Sequence, residues 1–175
     1  LAPDIAQLAH DLIDTFPQDR VDLIPAYANQ IPVIIIARLL GVPESMAPDL
    51  LKWSNDMVMM YQAKRTRQHE DQAAQSSKEF ADFMRGYIEQ KRHKPADDLI
   101  THLIAAEEQG DKLSTDELIT TCILLLNAGH EATVHTMGNG IKALIEHGSN
   151  PEWFKEDVID RCVEEILRYD PPLHM

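Results

Sequence analysis

Residues 128–133 read Ala-Gly-His-Glu-Ala-Thr and place small side chains beside a carboxylate within a long apolar segment. In a helix, four of these residues would share one face and leave a shallow notch in which a flat ligand could lie: Ala128, Gly129, Ala132 and Thr133. Close packing against a neighbouring helix is the more common use of such spacing. Spacing alone leaves both uses open.

Glu131 lies beside this notch in the apolar middle of the predicted helix. An ionised carboxylate in such a place needs a partner, or else it takes up a proton more readily than usual. An acid of the second kind could relay protons. Pairing with a basic residue of another helix is the commoner outcome and remains the alternative.

Two histidines flank the acid, but their spacing does not suit a metal. His130 and His135 are five residues apart, whereas the helical zinc-protease motif requires a separation of four. The two side chains therefore point to different faces. We expect no metal bound by this pair and interpret His130 as a packed or surface histidine.

A second pair with chemical potential lies on the last predicted helix. Glu165 and Arg168 are three residues apart and can touch, although an exposed pair of this kind contributes only about 0.3 kcal/mol. A buried arginine would instead hold the carboxylate bidentately. Because the helix exits directly afterwards at Tyr169-Asp170-Pro171-Pro172, the position favours a structural role.

Composition limits the class of protein. The 175 residues are 44% hydrophobic and 26% charged, which is typical of a globular domain. A net charge of −13 disfavours nucleic acid and membrane surfaces as partners, but it is compatible with a small basic electron donor. Cys122 and Cys162 lack metal or redox spacing, which indicates a reducing, cytoplasmic compartment.

The periodicity of apolar residues predicts a mainly α fold with no hairpin. Helices are expected over about 4–16, 44–62, 72–92 and 97–108, the last ending in a turn at Gln109-Gly110-Asp111. Residues 31–40 could form a buried strand. A buried helix is favoured, because Pro32 suits a first turn and Gly41-Val42-Pro43 is a stop signal.

Three methionines in the 44–62 segment have two interpretations. Met57, Met59 and Met60 could line an adaptable pocket or lid, or they could simply fill the core of an amphipathic helix. The second interpretation is the commoner one.

The long helix has the clearest boundaries. Residues 113–118 form a capping box in which Ser114 caps and Glu117 reaches back, while Leu113 packs on Leu118. The helical pattern then continues to His147 and stops at Gly148. A final helix follows Asn150-Pro151. The chain starts without methionine and ends abruptly, so we expect residues 1–175 to be a single incomplete domain.

Taken together, the motif at 128–133 in a long capped helix, followed by Glu-Glu-Ile-Leu-Arg-Tyr-Asp-Pro-Pro at 164–172, resembles the cytochromes P-450. These are heme-thiolate monooxygenases, and the resemblance is strongest to the soluble bacterial members. It covers the whole chain, from the family's D helix through its I helix to its K helix. It implies a partial, mainly α P-450 fold without the heme-ligand loop and most of the β structure.

The resemblance also implies roles for individual residues. Glu131 and Thr133 would be catalytic in proton delivery, and Glu165 with Arg168 would be the family's structural pair. The heme would lie against Ala128, Gly129, Ala132 and Thr133. The substrate would meet Leu124, Asn127 and Ala128, under a mobile lid formed by residues 57–91. The implied cofactor is heme, and the implied partners are O2, a small apolar or amphipathic substrate, and a ferredoxin or flavodoxin.

Two departures from the family limit this expectation. The family's cysteine ligand lies in a glycine-rich loop beyond the K helix, and neither Cys122 nor Cys162 has that context. The chain alone is therefore expected to be inactive, with no metal ligand of its own. The family usually has threonine directly after the acid, where this chain has Ala132; Thr133 is rotated from it by about 100°.

Two other classes of protein compete with this interpretation. A noncatalytic helical remnant, or a helix-packing interaction module, would use the notch to hold a neighbouring helix. A carboxylate-bridged di-metal bundle would need paired Glu-x-x-His motifs on facing helices, and the sequence has none.

Overall fold

The computed structural model describes residues 2–108 and 113–172, except for the side chains of residues 106–108. Within these ranges the α-helices are α1 (Ala2–Asp14), α2 (Gln30–Leu40), α3 (Ala47–Val58), α4 (Arg67–His93), α5 (Leu99–Glu108), α6 (Thr115–Glu146) and α7 (Ile159–Tyr169). Short π and 3-10 turns lie between them at Ile24–Ala28, Glu44–Met46, Met59–Tyr61 and Pro151–Phe154. The same residues contain no strand, which confirms the mainly α class.

None of the described helices combines the length and apolar character needed to cross a membrane. The turn predicted at Gln109-Gly110-Asp111 lies outside the described residues.

Residues 31–40 form a helix, so the strand alternative is wrong. α2 ends at Gly41, whose φ of +76° is the left-handed conformation that glycine adopts without strain. The N–H groups of Gly41 and Val42 donate to the carbonyls of Arg38 and Ala37 at 3.1 and 2.9 Å. These two bonds satisfy the last carbonyls of the helix and confirm the stop signal.

α4 begins at Arg67, five residues before the predicted start near Gln72. Thr66 caps it, because its side chain accepts from the N–H of His69 at 3.4 Å while its own N–H donates to Nδ1 of His69 at 3.2 Å. Histidine takes the place of the usual Glu or Gln of a capping box, which is why the sequence pattern missed this start.

α6 is a single helix about 48 Å long at the usual rise per residue. Its predicted capping box is confirmed: the N–H of Ser114 donates to Oε2 of Glu117 at 2.7 Å, and the N–H of Glu117 donates to Oγ of Ser114 at 3.3 Å. These bonds hold the pKa of Glu117 below its ordinary value. The helix stops at Gly148, whose φ is +72°.

Contacts divide the chain into two compact units, one of residues 32–131 and the other of residues 1–31 with 132–175. A single domain over residues 1–175 stays a prediction. The first unit holds the larger core, in which α2, α3, α4, α5 and the first half of α6 contribute buried side chains. Trp53 packs in this core, with its ring centroid 5.5 and 5.7 Å from those of Phe80 and Phe83. Met57 is buried there as well.

A buried polar cluster closes the same core where α2 ends. Lys91 forms an ion pair with Asp98, and the two side chains are only 13% and 5% exposed. The hydroxyl of Tyr87 donates to the carbonyl of Gly41. Burial alone would raise the pKa of Asp98, but hydrogen bonds from Lys91 and Thr101 outweigh it and hold that pKa below its ordinary value.

The other unit is organised around the second half of α6. A Cβ at Gly140 would lie 2.7 Å from Ile166 of α7, and a Cβ at Gly138 would lie 2.9 Å from Ile24. The missing side chains therefore let both isoleucines reach the backbone of α6. The ring of His147 meets Tyr169 edge-on, and Nε2 lies 3.0 Å from the phenol oxygen.

Replacing Gly41 with alanine should destabilise the protein by about 2 kcal/mol or more, because φ is positive and the added Cβ would overlap the side chain of Asp98. Gly86 is the matched control, since it lies in α4 with nothing within 4 Å of an added Cβ. G86A should stabilise by about 0.5–1 kcal/mol. Urea unfolding measures both changes; equal effects would contradict the packing described for Gly41.

Replacing Asp98 with asparagine should cost about 3 kcal/mol at neutral pH, because it leaves the Lys91 ammonium buried without its carboxylate. Since the folded-state pKa of Asp98 lies below 3.8, the pair stabilises fully above that pH and is lost as pH falls through the folded value. D98N should therefore flatten the acid limb of the stability curve. D82N, in the exposed pair with Lys78, should leave the stability almost unchanged, because solvent screens that pair.

Candidate functional site

The candidate site is a face of α6 that includes residues 124–133. Leu124 is 64% exposed, and Ala128 and Thr133 are exposed as well, although large apolar residues in a helix centre are normally covered. Asn127, Glu131 and Ala132 are half-buried at its edges. The face is therefore apolar and open, with one carboxyl group and one amide beside it.

Gly129 has a packing role of its own. A Cβ on it would lie 3.1 Å from Cδ1 of Ile36, so its bare backbone accommodates α2. This contact confirms the close-packing use of glycine that the sequence left open. That Gly129 also borders a cofactor stays a prediction.

The side chain of Glu131 forms no hydrogen bond or ion pair with any residue that the structure describes. The basic partner considered from the sequence is not found in that part of the chain. The Glu131 side chain is half-buried beside the exposed Ala128 and Thr133.

His130 is a packed histidine. It is 2% exposed, and its Nδ1 lies 3.3 Å from Oγ of the fully buried Ser54 in α3. His135 is exposed. The described residues contain no group of three or more His, Cys, Asp and Glu side chains that could hold a metal ion.

Asn127 contacts α3 as well. Its Nδ2 donates to Sδ of Met57 at 3.9 Å, while its Oδ1 is shielded from solvent and has no hydrogen-bond partner in the described structure. Ser54 and Met57 lie three residues apart on α3, facing His130 and Asn127 in turn. The sequence analysis missed this pairing, although a serine among Trp53, Met57 and Val58 was an available signal.

Ala132 directly follows Glu131, and its side chain is a methyl group without a hydroxyl. The hydroxyl of Thr136 donates to the Ala132 carbonyl at 2.8 Å, so it is already bound within the helix. Thr133, two residues after Glu131, has an exposed side chain.

Glu165 and Arg168 form a bidentate pair, with Nε and Nη2 of the arginine 2.7 and 2.6 Å from the two carboxylate oxygens. The hydrogen bonds from Arg168 hold the pKa of Glu165 below its ordinary value. However, the two side chains are 58% and 70% exposed, so the burial considered for this pair is not seen within residues 113–172.

A groove of about 710 Å³ lies on the same unit beside α7. The side chains that line it come from the end of α6, the 3-10 turn and α7, and include Leu144, His147, Trp153, Cys162, Ile166 and Tyr169. Sequence reasoning did not predict it, because it depends on how the last helix folds back on α6.

Comparison with known proteins identifies this arrangement. The cytochrome P-450 family model matches residues 35–168. The vitamin D(3) 25-hydroxylase of Pseudonocardia autotrophica is 39% identical over 99% of the chain, and the polyketide biosynthesis cytochrome P-450 PksS of Bacillus subtilis is 36% identical over 100% of it. The chain spans 42% and 43% of these two relatives.

Solved structures agree. The myxobacterial CYP267B1, determined in complex with myristic acid, is 36% identical and superposes with a TM-score of 0.83 over 95% of this chain and 41% of its own. The family model covers well over half of the chain. The chain therefore belongs to the cytochrome P-450 family.

Proposed function

We propose that the protein is a heme-dependent monooxygenase that inserts one atom of O2 into a small apolar or amphipathic organic molecule in the cytoplasm. A ferredoxin or flavodoxin supplies the electrons. The proposal is supported by the open apolar face of α6, which carries the family's motif at residues 128–133 with the half-buried Glu131. The charge of −13 suits a basic electron donor and disfavours nucleic acid or an anionic membrane.

Bound heme would supply the activation of dioxygen. The residues present fit a flat cofactor, since the side chain of Ala128 is an exposed, uncharged methyl group. Four residues of α6 would lie against the heme: Ala128, Gly129, Ala132 and Thr133. Gly129 would contribute indirectly, because its backbone packs against Ile36 and so fixes the position of the helix.

Neither cysteine of this chain suits the proximal side. Cys122 is fully buried in the core, and burial raises the pKa of its thiol to about 12. It therefore stays protonated at neutral pH, whereas a heme ligand of this family is a thiolate. Cys162 lies in the groove beside α7. We therefore expect residues 1–175 by themselves to be inactive.

Proton delivery would begin at Glu131. Its carboxyl group is half-buried near the exposed Thr133, and in this proposal it would pass a proton along the face of α6. The next group is not the usual threonine, because Ala132 has no hydroxyl. Thr133, ordered water or a hydroxyl of the substrate itself completes the path.

Substrate contacts would come from Leu124, Asn127 and Ala128. Leu124 and Ala128 offer exposed apolar surface that a small organic molecule would cover. The lid would be formed by residues 57–91; Met57 belongs to the core, while Met60 is 38% exposed and is available to adapt.

The packing around two glycines of α6 argues against the alternative function, a noncatalytic module that binds a partner helix. Gly129 is occupied by Ile36, and Gly140 by Ile166, so these positions are already used for packing within the chain. A partner helix would find no free glycine notch at either place. The interaction module is therefore the weaker of the two functions.

The first test is heme content. The full-length protein should carry about one heme per molecule and show the thiolate-ligated absorption of the reduced carbon monoxide complex, whereas residues 1–175 alone should show neither. C122A should keep that spectrum, because the thiol of Cys122 is buried and protonated. A correctly folded protein that takes up no heme would leave the noncatalytic remnant as the better description.

The second test concerns the missing hydroxyl. A132T should raise the share of electrons that reach product and lower the peroxide released, by about twofold or more, because it places a hydroxyl directly after Glu131. T133A should have the opposite effect if Thr133 serves the path in the parent protein. Product and peroxide are measured together; an unchanged ratio in A132T would refute the proton path described here.

A further inference from the structure

A buried contact between a serine and a histidine joins α3 to α6, one residue before Glu131. Oγ of Ser54 and Nδ1 of His130 lie 3.3 Å apart, within hydrogen-bond distance. Ser54 is fully buried and His130 is 2% exposed. Replacing both partners of a buried hydrogen bond by apolar groups of the same shape is often nearly neutral for stability. Cohesion of the core alone therefore does not account for this pair.

The pair has apolar surroundings on both helices. On α6, three fully buried residues precede His130 at intervals of four: Leu118, Cys122 and Leu126. On α3, the other buried residues are apolar or aromatic: Ala47, Leu50, Trp53, Met57 and Val58. Apolar contacts are non-directional, whereas a hydrogen bond depends steeply on distance and angle. The contact between Ser54 and His130 can therefore fix an orientation that apolar packing leaves loose.

The position of Glu131 on α6 depends on this orientation. Successive residues of a helix are rotated by about 100°, so a fixed direction for the His130 side chain fixes the direction of the Glu131 side chain as well. Glu131 is half-buried at the edge of the open face. A rotation of α6 about its axis would move this carboxyl group either deeper into the core or out into water.

α3 is a firm reference for α6 because polar contacts also hold α3 to α4. Oδ2 of Asp56 accepts from Oγ of Ser76 at 2.5 Å and from Nε2 of Gln72 at 3.2 Å. The indole N–H of Trp53 donates to Oε2 of Glu79 at 3.0 Å. These bonds do not involve α6, so α3 keeps its place on α4 when α6 turns.

We propose that Ser54 and His130 are positioning residues, whose hydrogen bond sets the rotation of α6 so that Glu131 stays at the edge of the open face. This inference rests on the proposed function, because it gives the bond a part in proton delivery by Glu131. Both side chains are buried between α3 and α6 and touch no reacting atom themselves. They act only through the carboxyl group of Glu131.

Carboxyl labelling of the full-length protein measures the position of Glu131 without requiring turnover. Glycine ethyl ester and a carbodiimide modify carboxyl groups at a rate that depends on their access to solvent, and the exposed Glu156 is the internal reference. S54A removes the hydroxyl, so α6 can turn and the carboxylate moves towards water; labelling of Glu131 should rise about threefold or more. An unchanged rate in S54A would overturn the inference.

S76A is the matched control. Ser76 is also fully buried and also bonded to α3, but its hydroxyl donates to Asp56 on the side of α4. Its loss should lower the melting temperature about as much as S54A does, because each variant loses one buried hydrogen bond. Labelling of Glu131 should nevertheless stay as in the parent. A rise of the same size in both variants would mean a general loss of stability, and the positioning role would be wrong.

A second pair of variants changes the histidine. Leucine and asparagine have nearly the same shape, but only asparagine places a polar atom close to the position of Nδ1. H130L should label like S54A, whereas H130N should stay within about twofold of the parent. Equal labelling in these two variants would contradict a role for the hydrogen bond.

Turnover connects the position of Glu131 to proton delivery. S54A should raise the share of electrons released as peroxide about twofold, and in an E131Q background it should have no further effect, because it acts through that carboxyl group. S76A should leave the share unchanged. A rise in S54A that persists in the E131Q background would overturn the inference.

Heme absorbance of the same samples separates this inference from the proposed function. Absent heme, with labelling of Glu131 that rises in S54A but not in S76A, would sink the monooxygenase proposal and leave the positioning contact in place. Normal heme with unchanged labelling would sink only the role of Ser54 and His130.

Discussion

Close contact between isoleucine side chains and the bare backbone of α6 is the constraint on which each unit depends. An added Cβ would lie within about 3 Å of an isoleucine in three places: Gly129 against Ile36, Gly138 against Ile24, and Gly140 against Ile166. Glycine inside a helix costs about 1 kcal/mol relative to alanine. Here the approach of the neighbouring element offsets that cost, because a methyl group would have to displace a packed side chain.

This packing leaves another face of the same helix free for chemistry. His130 contacts Ser54 and Gly129 packs against Ile36, whereas the side chains of Leu124 and Ala128 are exposed. Glu131 lies at the border and has no bonded partner among the described residues. A helix that is held on one side can present an uncharged surface on the other, and the proposed monooxygenase site on α6 would require that division.

Local spacing and tertiary burial contribute differently to the Glu165 and Arg168 pair. Their separation of three residues brings the groups together on any helix, and the bidentate geometry follows from the shapes of carboxylate and guanidinium. Both side chains are exposed, and their exposure depends on which other segments pack against α7. The spacing of the two residues carries no information about those segments. The contact was therefore predictable, and its burial was not.

The sequence by itself determined the mainly α class, the ends of α2 and α6, and the family, because capping boxes, positive-φ glycines and motif spacing act within a few residues. It missed the start of α4, where His69 replaces the usual acid in the cap. Only the tertiary structure decided that Asn127 faces Met57, that Gly129 admits Ile36, and that Lys91 and Asp98 are buried together. Such contacts join residues far apart in the chain, and their energies depend on shape and solvent exclusion rather than on local order.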